Sequence, residues 1–363
     1  MRITIFCKVI DNLGDAGIGW RLARQLAAGG HRVCLLIDDL NTLHRLRQAP
    51  SALASSVDDE IDVQPWRERS DVLARAGDDL WLETFACGYG EGTLEALAQQ
   101  AVRPRLIHID HLSAEDWARA CHRQTSIHPA TGLRQTYHMP GFTADSGGLL
   151  REPELLALHQ DWRQDREQQQ RFLQACGVHP DPAALLITVF CYPQALLDDL
   201  LLSLRERPAH VLLLGPGADA ALAAVPAGSL PTSTQPCRIQ SLDLLHHRDY
   251  DRLLGLADFN IVRGEDSWVR AQWAARPLLW QAYLQDGQAH LDKLEAWLRL
   301  HPMPEPLPSL HRRFNAGLAV GVELWTQVWS ALPAIAASCQ HWREQLAAQE
   351  DLVSQLLRQT DDA

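Results

Sequence analysis

The feature that most limits the fold is a repeated change of hydrophobic period along the chain. Short apolar runs stop at turn residues, and helical spacing begins soon afterwards. In the first half the runs lie at 2–10, 32–37, 61–63, 80–84 and 106–109, with helical patterns at 20–28, 40–47 and 92–101. The second half repeats this, with runs at 185–190, 210–214, 259–262 and 278–281 and helical patterns at 194–207, 249–256, 268–275 and 286–300. Strands separated by helices pair in parallel, because the helix carries the chain back across the sheet. The expected class is therefore α/β, with two Rossmann-like doubly wound domains facing each other across a ligand cleft. Such sheets bind ligands at the carboxyl ends of their strands. The expected division is 1–155, a charged connecting helix at 156–178, and a second domain at 179–339. A final helix, about 340–363 with an amphipathic stretch at 339–357, is expected to pack back on the first domain. The turn-rich segment 126–150 interrupts the alternation and is expected to be irregular.

Composition narrows the partners. A length of 363 residues fits two domains better than one. A net charge of −12 argues against a nucleic acid or an anionic membrane as the main partner. The eight cysteines are scattered without a C-x-x-C pair, so reduced thiols of a cytoplasmic protein are expected, and no metal site. Met1 leads straight into a strand-like run without a signal-peptide layout, and no apolar run is long enough to span a membrane. A monomer is expected, since no long exposed apolar helix demands a partner.

The strongest local signal is Phe259-Asn260-Ile261-Val262-Arg263-Gly264-Glu265-Asp266-Ser267, where a strand, a glycine turn and a helix start meet. Unpaired amides and the dipole at a helix start favour a phosphate, and Arg263 can fork onto its oxygens. Glu265 and Asp266 would repel that phosphate. Either they are ordinary helix-start acids, or one points past the phosphate to do chemistry. After the first strand, Asp11 and Asp15 flank Gly14 where dinucleotide-binding folds carry G-x-G-x-x-G, and that fingerprint is absent. This loop suits a sugar or a cationic acceptor. The competing reading is structural, with Asp15 capping the helix and Asp11 holding turn amides. Phe190 and Tyr192 end the first strand of the second half, where they could sandwich a flat base or simply edge the core. The adjacent His246 and His247 are expected to face different ways. Periodicity alone does not separate an enzyme from a nucleotide-binding module.

Several stretches resemble one family, the protein-arginine rhamnosyltransferases that modify elongation factor P (EarP). They are Asp11-Asn12-x-Gly14-Asp15 with Trp20-Arg21-Leu22-Ala23, Pro140-Gly141-Phe142-Thr143 with Gly147-Gly148-Leu149, and Phe190-Cys191-Tyr192. The most specific is Asn260-x-Val262-Arg263-Gly264-Glu265-Asp266-Ser267-x-Val269-Arg270, followed by Trp280, Tyr283 and His290-Leu291-Asp292-Lys293-Leu294. The resemblance implies a GT-B glycosyltransferase that moves rhamnose, with inversion, from dTDP-β-L-rhamnose to an arginine of elongation factor P. It implies catalytic roles for Asp11, Asp15 and Glu265, and thymine stacking by Phe190 and Tyr250 with Tyr192 nearby. Diphosphate contacts fall on Arg263, Asp266, Ser267 and Tyr283, with Gly264 and Gly14 in the same two turns; no cofactor or metal is implied. Where the family commonly has a glutamine ahead of the Asp-aromatic-Asp of its base pocket, this chain has His247. An imidazole cannot copy the paired hydrogen bonds of an amide. The alternatives are a GT-B transferase with another nucleotide sugar and acceptor, or a non-catalytic GT-B-like module.

Overall fold

The computed structural model describes residues 1–11, 13–48 and 61–361. Asn12 of the first turn and the last two residues of the expected final helix lie outside them. The described chain divides into two compact units, one built from 1–48, 61–152 and 348–361, the other from 153–347.

In the first unit the strands are β1 (Arg2–Cys7), β2 (Arg32–Ile37), β3 (Asp62–Pro65), β4 (Leu80–Thr84), β5 (Arg105–Ile109), β6 (Thr125–Ile127) and β7 (Arg134–His138). They form one sheet in the order β3-β2-β1-β4-β5-β7-β6, parallel except for the β6–β7 pair. Between these strands the described residues form α1 (Leu13–Ala28), α2 (Leu40–Gln48), α3 (Arg69–Leu73), α4 (Thr93–Ala98) and α5 (Asp116–Cys121). Strand residues alternate between faces, so β1 feeds two cores at once. Ile3, Ile5 and Cys7 pack with Trp20 and Leu26 of α1, while Phe6 packs with Trp81, Tyr89 and Leu97 on the other face. Strands β6 and β7 were not expected. Their Thr-Ser-Ile and Arg-Gln-Thr-Tyr-His sequences are too polar to show an apolar period, and they form the sheet edge.

The second unit begins with α6 (Leu155–Gln164) and α7 (Arg166–Ala175). The expected single connecting helix is thus two helices, broken at Asp165, which caps α7 through the amide of Gln168. Nor is this segment a separate connector. Trp162 and Phe172 sink into the second unit's core, and the Trp162 indole donates to the carbonyl of Arg252 at 2.9 Å. Strands β8 (Leu185–Val189), β9 (Ala209–Leu214), β10 (Cys237–Leu242), β11 (Phe259–Arg263) and β12 (Leu278–Gln281) then form a wholly parallel sheet, ordered β10-β9-β8-β11-β12. The accompanying helices are α8 (Asp198–Ser203), α9 (Gly215–Ala223), α10 (His247–Leu256), α11 (Gly264–Ala274), α12 (Ala289–Leu300), α13 (Leu307–Asn315) and α14 (Val322–Ala347). Strand β10 and helix α9 were unexpected. The first is an edge strand with a polar alternate face, and the second starts in a Gly-Pro-Gly run that reads as a turn.

The chain then returns to the first unit as α15 (Leu352–Asp361). Asp351 caps it through the amides of Val353 and Ser354, which is why the expected 339–357 helix is interrupted. Leu352, Val353 and Leu356 join the core beside α1. Both sheets reverse their winding order next to their first strand, between β1 and β4 and between β8 and β11. Those are the switch points where doubly wound sheets bind ligands.

Candidate active site

At the first switch point, the turn after β1 is tied down by Asp15. Its Oδ2 accepts the amides of Ile10 and Asp11, each at 2.8 Å, and the residue is buried at 6% exposure. Asp15 therefore reaches back onto the turn from inside α1, and does not cap the helix ahead of it. Asp11, half-buried, accepts the Gly14 amide on its backbone carbonyl at 2.8 Å. A Cβ at Gly14 would lie 3.0 Å from Asp11 Oδ2, so glycine is what lets that carboxylate lie across the turn. The two aspartates and Gly14 thus form one loop, whose charge is negative and whose backbone is fixed by one of its own acids.

Beside it, at the carboxyl ends of β4 and β5, lies a polar cluster that the sequence did not reveal. His108 sits between Glu83 (3.3 Å) and Asp110 (3.7 Å), and Glu83 also accepts the Gly88 amide and the Gln135 side chain. Burial alone would lower the His108 pKa, but the two carboxylates outweigh it and raise the pKa to about 9. A group whose folded pKa lies above its unfolded value stabilises the fold fully below the unfolded value, near 6.5. That contribution is lost as pH rises through about 9. Thermal unfolding followed from pH 6.5 to 10 should therefore show a decline in Tm that is smaller in His108→Gln than in the wild type.

At the second switch point, Phe190 and Tyr192 follow β8 and Arg263 ends β11. The Arg263 guanidinium carbon lies 4.7 Å from the Phe190 ring centroid and 4.5 Å from that of Tyr192. Cation–π attraction thus fixes the charge that was expected to meet a phosphate. Tyr250 meets Phe190 edge-on at 5.9 Å, and Tyr283, 49% exposed, meets Tyr192 edge-on at 5.7 Å. Burial raises the Tyr250 pKa well above that of an ordinary phenol, keeping its hydroxyl protonated. His246 and His247 do not face different ways. Their rings lie 4.0 Å apart at 42°, because the first sits at the extended N-cap of α10 and the second opens the helix.

Gly264 turns the chain from β11 into α11 with φ of 65°, a conformation that favours glycine. Its carbonyl accepts the Trp280 indole at 2.9 Å. Trp280 in turn stacks on Trp268 at 3.6 Å and 4°, with Trp297 edge-on to both. This buried aromatic block holds the start of α11 rigid from behind. The N-cap residue, Arg263, makes no side-chain cap, and a helix start of this kind points amides and the positive end of its dipole toward a place that favours an anion.

The two acids of that turn have separate attachments. Glu265 pairs with Lys293 of α12, their side chains 16% and 13% exposed. Asp266 accepts Arg270 Nε at 2.9 Å, and Arg270 also clasps Asp251 of α10 through both carboxylate oxygens. Arg270 is buried at 3%, so this triad locks α10 against α11. Ser267, also buried, completes the turn. Phe190, Tyr192, Tyr250, Tyr283, Arg263, Gly264, Glu265, Asp266 and Ser267 are therefore grouped about one switch point. Lys293, Arg270 and Asp251 were missed as site residues; only the Asp266–Arg270 pair, four residues apart on one helix, carried a sequence signal. All eight cysteines are free, and among the described residues no His, Cys, Asp and Glu group is arranged to hold a metal. No described helix is long and apolar enough to cross a membrane.

Residues 3–360 match the family described as elongation factor P (EF-P) rhamnosyltransferase EarP. The chain is 38% identical to a protein-arginine rhamnosyltransferase of Pseudomonas putida, over 97% of each chain. It is 37% identical to one of Pseudomonas aeruginosa, covering 98% of this chain and 97% of the other. A solved structure concerned with EarP-mediated arginine glycosylation of translation elongation factor EF-P superposes with a TM-score of 0.65 at 28% identity, over 100% of this chain and 99% of that one. With two parallel-sheet α/β units of the GT-B type and a family match along almost its whole length, this chain belongs to the EarP family of elongation factor P rhamnosyltransferases.

Proposed function

We propose that this protein transfers L-rhamnose from dTDP-β-L-rhamnose, with inversion at the anomeric carbon, to an arginine nitrogen of elongation factor P. The observation that carries the donor assignment is Arg263, held on Phe190 and Tyr192 at the head of an uncapped helix. A diphosphate there meets a fixed guanidinium and a row of amides, and Phe190 with Tyr250 offers aromatic surface for a base. Ser267 and Tyr283 complete the diphosphate contacts, and Asp266 keeps the turn in place through Arg270. His247 opens α10, three residues ahead of Tyr250, and is assigned to the thymine edge.

The Asp11–Asp15 loop supplies the acceptor side. A guanidinium has a pKa above ~12 and, as a cation, is a poor nucleophile. Asp11 orients it by a forked hydrogen bond, and Asp15 takes the proton from the attacking nitrogen. The N–C bond to the anomeric carbon forms as the bond to the diphosphate oxygen breaks, and dTDP leaves with the electron pair. The product guanidinium remains a cation. Arg263 and the α11 amides meet the charge that develops on the leaving group, the kind of fixed electrostatic help that dominates such reactions. Glu265, paired with Lys293, organises the sugar and the incoming cation. The matched EarP structure concerns arginine glycosylation of translation elongation factor EF-P, which supports this acceptor. The test is dTDP release from dTDP-rhamnose with elongation factor P and with its acceptor-arginine-to-lysine form. Release is expected only with the arginine form. Equal release with both would contradict the acceptor assignment, and failure to bind dTDP would contradict the donor assignment.

A further inference from the structure

A second cluster of arginines lies at the far end of α11 from Gly264. Arg163 of α6 donates to the carbonyls of Ala274 (2.5 Å) and Ala275 (3.3 Å), where α11 ends. Arg276, just beyond, donates through Nε to the carbonyl of Gly255 at 2.8 Å, in the last turn of α10. Gly255 also touches His159, since a Cβ there would lie 3.0 Å from the imidazole Nδ1. Arg343 of α14 stands near enough to act on both His159 and Arg163.

Helix carboxyl ends account for one donor group each on Arg163 and Arg276. They leave the rest of the cluster unexplained. Arg343 is half-buried, and the buried Nε of Arg163 has no hydrogen-bond partner among the described residues. His159 is fully buried, and neither ring nitrogen is hydrogen-bonded. A buried polar group without a partner is costly, and so are like charges held together out of bulk water. Among the described residues the carboxylate that acts on Arg276 is Asp258, which is also held by the amide of Leu186 at 2.9 Å, and no carboxylate offsets Arg163. Burial and the neighbouring arginines lower the His159 pKa to about 3, so the imidazole is neutral and can still donate one N–H.

We propose that Arg163, Arg276 and Arg343, with His159 at their base, form a binding site for a phosphate-type oxyanion, separate from the donor site. Such an ion supplies the acceptors that the cluster lacks and cancels its mutual repulsion. Arg163 and Arg343 stand on α6 and α14, the helices by which the chain enters and leaves the second unit, so the ion would join those two helices to the ends of α10 and α11.

The test is thermal unfolding of the full chain in chloride and in low-millimolar inorganic phosphate at equal ionic strength. Phosphate should raise the wild-type Tm by about 2–4 °C, the size expected for saturating a modest site in a chain of this size. Arg343→Gln should lose that rise, and in chloride it should unfold at the wild-type temperature or above, because a repelling charge has gone. Arg263→Gln, altered at the donor site, should keep the rise. The proposal is overturned if the wild type gives no rise, if Arg343→Gln responds as the wild type does, or if the rise disappears with Arg263→Gln alone.

Discussion

Asp15→Asn should lower turnover by about 10²–10⁴-fold, the usual cost of losing a positioned general base, while dTDP affinity stays within about twofold of the wild type because the donor contacts lie on other residues. The reason lies in what the Asp15 carboxylate already does. Its Oδ2 holds the amides of Ile10 and Asp11, and an asparagine oxygen can accept the same two bonds. The substitution thus removes a negative charge and a proton acceptor while keeping the loop. Asp15→Ala differs, because it strands two amides in a turn that is otherwise held by one carboxylate, at a cost of about 1–3 kcal/mol. Asparagine should therefore unfold near the wild-type temperature and alanine below it, with both nearly inactive. Near-normal turnover in Asp15→Asn with dTDP still bound would remove Asp15 from the chemistry and leave it as a fastener of the turn.

The second large effect is expected at Glu265. Glu265→Gln should lower turnover by about 10²–10³-fold through loss of a fixed charge beside the reacting sugar. It should also destabilise the second unit, because Lys293, at 13% side-chain exposure, loses its charged partner. Breaking a pair of this kind costs about 3 kcal/mol. Glu265→Gln combined with Lys293→Met removes both charges, and should regain most of the lost Tm without regaining activity. That separation of stability from turnover is the signature of a residue needed for chemistry. If the double variant recovered both together, Glu265 would be a structural acid without the catalytic role that the family resemblance implies.

Legibility in the sequence followed the physics of each element. The β11–α11 turn was readable because an apolar run, Gly264 and a helical period follow one another without a gap. At the Asp11–Asp15 turn the paired acids and Gly14 were readable, but the helical period showed only from Trp20, whereas α1 starts at Leu13. Strands β6 and β10 were hidden because edge strands with solvated faces lose the apolar period, and β7, between β5 and β6, was hidden because Arg-Gln-Thr-Tyr-His carries almost no apolar residue. Charge hid the true membership of α6 and α7, since Trp162 and Phe172 are single anchors in a polar run. The Arg263 cradle was half visible: Phe190 and Tyr192 were placed at the site, but their grip on the guanidinium depends on β8 and β11 being neighbours. Lys293 lies 28 residues from Glu265, and the His108 cluster joins three strands, so no local spacing announces either. The chemical roles proposed for Asp11, Asp15 and Glu265 rest on likeness to a family; pattern alone left a phosphate site and an acidic loop.

The central claim is tested most directly by the mass of the acceptor. Elongation factor P is incubated with this protein and dTDP-β-L-rhamnose, then weighed intact and after fragmentation. The expected result is a gain of one deoxyhexosyl residue on an arginine side chain, absent with Asp15→Asn and absent when the acceptor arginine is lysine. An unchanged acceptor mass, under conditions where dTDP-rhamnose is bound, would contradict the account.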